Sequence, residues 1–157
     1  MNPYAQYLDG RDPIETMHAT PAALQAIVAK LTPQQIEASP APGKWSVCQV
    51  LAHLADCELN FAMRLRQGLE TPGVTITPFN QDTWATRYSA YTAAQSLETF
   101  LALRAWNLSL LTTVSAAERN NTLTHPERGT MTFQALLETI GGHDVNHLQR
   151  LQHNITA

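Results

Sequence analysis

A chain of 157 residues with 44% apolar and 15% charged side chains is long enough to close one hydrophobic core without help from disulfides or metal. A formal charge of −3 and the absence of any Lys/Arg run leave no basic face for a nucleic-acid backbone. No apolar stretch approaches the roughly 20 residues of a membrane span, and the N-terminus lacks a secretion signal, so one cytoplasmic domain over residues 1–157 is expected.

Strand-like alternation is scarce, and helical periodicity dominates. The spacing predicts a first long helix after Thr20-Pro21, with Leu24, Ile27, Val28 and Leu31 on one face, preceded by a short turn from Asp12-Pro13. Pro40-Ala41-Pro42-Gly43 then breaks the chain. A second helix opens at Ser46 with Gln49 as its capping-box partner and runs to about residue 67, carrying Val47, Val50, Leu51, Leu54, Phe61 and Leu65. Cys48 and Cys57 fall on opposite sides of it and cannot pair, in keeping with a reducing compartment. A third helix opens at Thr92 with Gln95, carrying Leu97, Phe100, Leu101, Leu108 and Leu111; Ser115 and Glu118 cap a short turn after it. The fourth opens near Thr132 and runs to about residue 154, with Phe133, Leu136, Ile140 and Leu151 aligned.

Four amphipathic helices predict an all-α four-helix bundle. The connection over residues 68–91 is too long for adjacent antiparallel helices, so it reads as a crossover with a short helix near residues 81–87. That makes the second and third helices parallel.

His143 and His147 stand one helical turn apart inside the apolar stripe of the fourth helix and point inward. His53 borders the stripe of the second. Burying two imidazoles without a shared partner strands several polar nitrogens, whereas three imidazoles on one cation leave coordination open for a reactant. The competing reading is a set of packed, hydrogen-bonded core histidines. Cys57, one turn after His53, is either a sulfur ligand or a small buried hydrophobe. Asp56 and Asp144 either orient ligands or are solvated. His18, His125 and His153 are expected at the surface. Trp84, Tyr88 and Tyr91 either wall a substrate pocket or seal the bundle end. Glu58 and Arg104 each occupy the centre of an apolar stripe, which predicts a buried ion pair between the second and third helices.

The stretch Gly43-Lys44-Trp45-Ser46-Val47 through His53-Leu54-Ala55-Asp56-Cys57-Glu58, together with His143-Asp144-Val145-Asn146-His147, resembles the DinB/YfiT-like superfamily over nearly the whole chain. The resemblance implies an up-down-down-up bundle, a zinc or nickel ion on His53, His143 and His147, and often a homodimer. It further implies a metal-dependent enzyme acting on a small molecule, either a transferase using a low-molecular-weight thiol or a hydrolase. Arg150 departs from the glutamine that many relatives carry, which bears on the substrate. Between the two chemistries the thiol route is preferred, because no carboxylate is evident as a base for water attack; Asp144 and His125 are the weak alternatives. The rival class is a non-catalytic metal- or ligand-binding stress protein.

Overall fold

The computed structural model describes residues 2–156, and side chains through residue 153. In chain order the elements are α1 (Ala5–Leu8), α2 (Pro13–Val28), α3 (Pro33–Glu37), α4 (Val47–Glu70), β1 (Val74–Thr75), α5 (Gln81–Ala85), α6 (Ala93–Leu111), β2 (Thr122–His125), β3 (Gly129–Thr132) and α7 (Phe133–Thr156). The long helices α2, α4, α6 and α7 form the bundle. No helix among the described residues is long and apolar enough to cross a membrane.

Side-chain caps set the starts of α4 and α6 where the sequence places them. Ser46 and Thr92 each accept the N–H three residues on at 3.2 Å, and Gln49 and Gln95 accept the cap N–H groups at 2.9 and 3.1 Å. Thr132 accepts the Ala135 N–H at 3.1 Å ahead of α7. The start expected at Thr20-Pro21 is corrected: α2 opens at Pro13, with the Asp12 carboxylate accepting the N–H groups of Ile14 and Glu15 at 2.8 and 2.9 Å. Pro21 lies inside the helix. Its missing N–H would have served the Met17 carbonyl, which instead accepts from Arg104 Nη1 at 3.1 Å. A Thr32–Gln35 capping box also starts α3, a helix the periodicity did not disclose.

Cross-helix pairs give the directions. Along α4 and α6, Cys48 Sγ meets the carbonyl of Tyr91, Glu58 meets Arg104, and Arg66 donates to Asn107, so the two run parallel. Going up α4, His53 faces His143 while Gly68 approaches Phe133, so α7 is antiparallel to it. Pro13 lies against Gly141 and Thr20 against Asp144, so α2 runs with α7. The bundle is up-down-down-up, with the crossover between α4 and α6.

A three-stranded sheet, absent from the sequence expectation, pins that crossover to the α6–α7 connection. β1 pairs parallel with β2 at Val74 and Leu123, and β2 pairs antiparallel with β3, His125 opposite Gly129. Strands of two to four residues are too short to leave a period-2 signature. Gly68 makes room for the sheet: a Cβ there would lie 2.6 Å from Leu123.

The core is two apolar clusters separated by a polar layer. One cluster includes Met17, Phe61, Leu65, Leu111, Phe133 and Ile140; the other includes Leu24, Leu51, Leu54, Phe100 and Leu151. Between them each long helix inserts one polar residue: Thr20, Glu58, Arg104 and Asp144. The expected Glu58–Arg104 pair is present and larger than expected. Arg104 Nε and Nη2 donate to the Glu58 carboxylate at 3.0 and 2.8 Å, Nη1 and Nη2 donate to Asp144 at 2.5 and 3.1 Å, and Nη1 donates to Met17. All five guanidinium N–H groups are used. Asn107 adds a bond to Glu58 at 2.9 Å and the Thr20 hydroxyl one to Asp144 at 2.9 Å. Burial alone would favour loss of the Arg104 proton, but Asp144 and Glu58 outweigh it and hold the group above its ordinary pKa.

Glu58→Gln removes one wall of a charge that is 1% exposed. It is expected to lower the unfolding free energy by about 3–5 kcal/mol, read from the urea midpoint at pH 7, and Asp144→Asn should do the same. Wild-type midpoints in both variants would exclude the layer as a structural support.

Candidate metal centre

The centre is built on two facing helices. His53 projects from α4 and His143 and His147 from α7, and all three are buried, at 1%, 3% and 6% exposure. Their ring centroids lie 5.2 Å (His53–His143), 4.8 Å (His53–His147) and 4.4 Å (His143–His147) apart. His53 Nε2 faces His143 Nε2 at 3.1 Å, and Cys57 Sγ lies 3.5 and 3.8 Å from those same two nitrogens. Among the described residues, His53, Cys57 and His143 form the group whose donor atoms all lie within 4.8 Å of one another. The His147 ring packs on this group without its nitrogens entering it.

These donors fit a tetrahedral cation. Zinc–nitrogen and zinc–sulfur bonds of about 2.0 and 2.3 Å give tetrahedral edges of about 3.3 Å between nitrogens and about 3.5 Å between nitrogen and sulfur. Without a cation, the two Nε2 atoms share at most one hydrogen bond, and His143 Nδ1 is buried with no hydrogen-bond partner. Burial keeps the imidazoles neutral: it pushes His53 down to about 4 and, with the charges of His53 and Arg150, His147 to about 3. His143 is lowered well below the ordinary value by burial and by His147 and His53. Their lone pairs are therefore available at neutral pH. Burial pushes the Cys57 thiol up.

Neighbouring rings hold the imidazoles in place. Tyr88, itself buried, lies with its hydroxyl 3.4 Å from His53 Nδ1, and the Trp45 ring packs at a tilt 5.0 Å from the His53 ring. Tyr4 meets His143 edge to face at 5.1 Å. That approach depends on Gly141-Gly142: a Cβ on Gly141 would lie 3.1 Å from the Pro13 backbone, and one on Gly142 would collide with the Tyr4 carbonyl oxygen. The N-terminal segment thus packs directly on the α7 backbone.

Asp144 departs from both sequence readings. It is neither solvated nor aimed at an imidazole, because Arg104 and Thr20 occupy its oxygens. Asp56 is half-buried and lines a groove between α4 and α6 with Ala52, Tyr91 and Gln95. His18 and His153 are exposed as expected, but His125 is not. Pairing with Gly129 brings His125 into the sheet at 5% exposure, where its Nδ1 accepts the Glu127 N–H at 3.2 Å. Tyr88 joins the centre, Tyr91 lines the α4–α6 groove, and Trp84 packs at a tilt against Phe79 at 4.8 Å. A cleft of about 280 Å³ opens on His147, lined by Lys44, Trp45, Gln81 and Arg150. Trp45 and Cys57 sit inside the sequence motif, yet nothing in their spacing announces the cleft; Tyr4 carries no sequence signal at all.

The depressed imidazoles make the metal-free protein acid-labile. In the unfolded chain these groups protonate near 6.5, whereas in the folded protein His53 and His147 protonate near 4 and 3. The unfolded state therefore binds more protons as pH falls, and stability is greatest above 6.5 and lost progressively below it. The urea midpoint of metal-free protein should fall between pH 7 and pH 4, and the fall should be shallower in His147→Gln. A flat profile would contradict the burial of neutral imidazoles.

The family model for the DinB superfamily matches residues 16–151. A protein of Oceanobacillus iheyensis, provisionally named a metal-dependent hydrolase, is 29% identical over 139 residues, covering 88% of this chain and 81% of the relative. YfiT of Bacillus subtilis, named in the same provisional way, is 26% identical over 141 residues, covering 88% and 79%. Its solved structure, described as an unusual four-helix bundle, aligns with a TM-score of 0.81 at 23% identity over 92% of this chain and 86% of that one. A mycothiol-dependent maleylpyruvate isomerase shares the fold with a TM-score of 0.69 at 11% identity, over 88% of this chain and 59% of the isomerase. With the bundle topology and the buried imidazole cluster in agreement with a match of this extent, the chain belongs to the DinB superfamily.

Proposed function

We propose that this protein is a metal-dependent enzyme that holds one divalent cation, zinc or nickel, on His53, His143 and His147 and transfers a low-molecular-weight thiol to a small electrophile. The observation that carries the reading is the convergence of three buried, neutral imidazoles, one of which, His147, opens on a cleft. The imidazoles can ligate without releasing a proton, whereas the Cys57 thiol must lose one. With Cys57 left as a neighbour, a coordination position stays free for a reactant, as catalytic sites require. The cation, when bound, supplies the positive charge that lowers the pKa of a thiol or water presented to it.

The chain's own groups favour the thiol over water. With His53 ligating through Nε2, its Nδ1–H would donate to the Tyr88 hydroxyl 3.4 Å away, which would fix the ring. Trp45 and Tyr4 cover the rings and exclude solvent. Hydrolysis calls for a base that takes a proton from water; Glu58 and Asp144 are consumed by Arg104, and Asp56 lines the α4–α6 groove and not the cleft at His147. A thiol that arrives with its proton already labile needs no such base. The hydrolase reading draws its support from the provisional names of the relatives.

Elemental analysis tests the ligand set. About one equivalent of metal is expected in the wild type and in Cys57→Ala, with at least about a tenfold loss of affinity in His53→Ala, His143→Ala and His147→Ala. Metal lost from Cys57→Ala but kept by His147→Ala would replace the third imidazole by the thiol. For the reaction, zinc- and nickel-loaded protein is assayed with glutathione, bacillithiol or mycothiol and a chlorinated aromatic acceptor. Consumption of thiol that stops on chelation is the expected result. Ester hydrolysis alone would transfer the assignment to the hydrolase reading, and neither activity would leave a metal-binding stress protein.

A further inference from the structure

The cleft above His147 is cationic. Lys44 approaches from the loop before α4 and Arg150 from α7, one turn beyond His147, and no acidic side chain lines the cavity. Both ion pairs among the described residues belong to Arg104, so neither of these cations is neutralised in that way. The Arg150 charge is near enough to help push the His147 imidazole down. Trp45 supplies an apolar wall between the two.

A second cation, on α4 and outside the lining of this cleft, carries the same sign. Arg64 is 7% exposed, has no carboxylate partner, and leaves its Nε without a hydrogen bond. Among the described residues it donates from Nη2 to the Thr77 carbonyl at 3.2 Å and lies 6.0 Å from the Phe79 ring. A buried guanidinium is rarely left without an anion. Glu58 and Asp144 are committed to Arg104, and no ion pair to Arg64 is present among the described residues.

We infer that the cleft takes a small carboxylate-bearing molecule, with Lys44 and Arg150 holding the carboxylate, its apolar part on Trp45, and its remaining end directed at His147. The guanidinium fork and the ammonium suit a carboxylate as charge-assisted donors, and neither suits a neutral amide of the same shape. This names the substrate class for the metal-dependent reading and rests on that reading only for what the far end of the molecule meets.

Benzoate and benzamide share shape and differ in charge, so ligand-observed NMR titrations of the two isolate the cations. On the protein as purified, benzoate is expected to bind about tenfold more tightly than benzamide. The same ratio is expected after chelation. In Lys44→Gln/Arg150→Gln, a pair of exposed positions, the ratio should fall to about one, while Arg119→Gln, at a side chain bonded to Gln134, should keep it. Equal binding of the two probes to the wild type would overturn the inference. So would a preference that survives the double substitution, or one that vanishes on chelation, because the metal and not the cations would then hold the carboxylate. Metal content measured on the same samples separates this failure from failure of the ligand assignment.

Discussion

One guanidinium organises this molecule. Arg104 sits at the crossing of the four long helices and divides its five N–H groups among three partners: two to the carboxylate of α4, two to the carboxylate of α7, and one to the carbonyl of α2 that a proline has left without its helical donor. The arrangement is a closed account of hydrogen bonds in a region of low dielectric, where any unmet charge is costly. Its contribution is to registry as much as to stability. A buried ionic cluster often breaks even against well-packed apolar residues, but a helix slipped by one turn would strand a charge in the core.

The same constraint shapes the chemistry next to it. Asp144 follows His143 directly, so the bond from Arg104 to Asp144 sets the rotation of α7 that aims both of its imidazoles at α4. It also occupies the carboxylates of Glu58 and Asp144. The centre is left with neutral nitrogen donors, a protonated sulfur, a buried phenol and, around its edge, cations. Such a site stabilises negative charge and has little with which to withdraw a proton. The proposed thiol chemistry on an anionic reactant rests on that imbalance.

The glycines and the crossover complete the enclosure. Gly141-Gly142 gives up helix propensity in the middle of α7, at about 1 kcal/mol per residue, and in exchange the N-terminal backbone lies against the helix with Tyr4 on His143. From the other side the crossover brings Tyr88 to His53. The sheet keeps that long connection from wandering, since its parallel β1–β2 pair joins two loops that are far apart in sequence. One face stays open, and it is the one where Lys44, Trp45 and Arg150 meet His147.

The local code was legible from residues alone. Capping boxes at Ser46 and Thr92, apolar stripes of helical period, a charge at the centre of two of those stripes, and two histidines one turn apart all express interactions spanning three or four residues, which periodicity records directly. What only the folded chain decided lies at longer range. That Asp144 belongs to Arg104, that Pro21 can remain inside α2, that His125 is buried in a strand, and that Cys57 lies beside two imidazoles each depend on partners brought in from other elements. His53 and His143 are 90 residues apart in sequence and 3.1 Å apart in space. A helix's sequence states which face is apolar. The helix crossings then determine which polar atoms on that face meet, because burial obliges each of them to find a partner that its own segment does not contain.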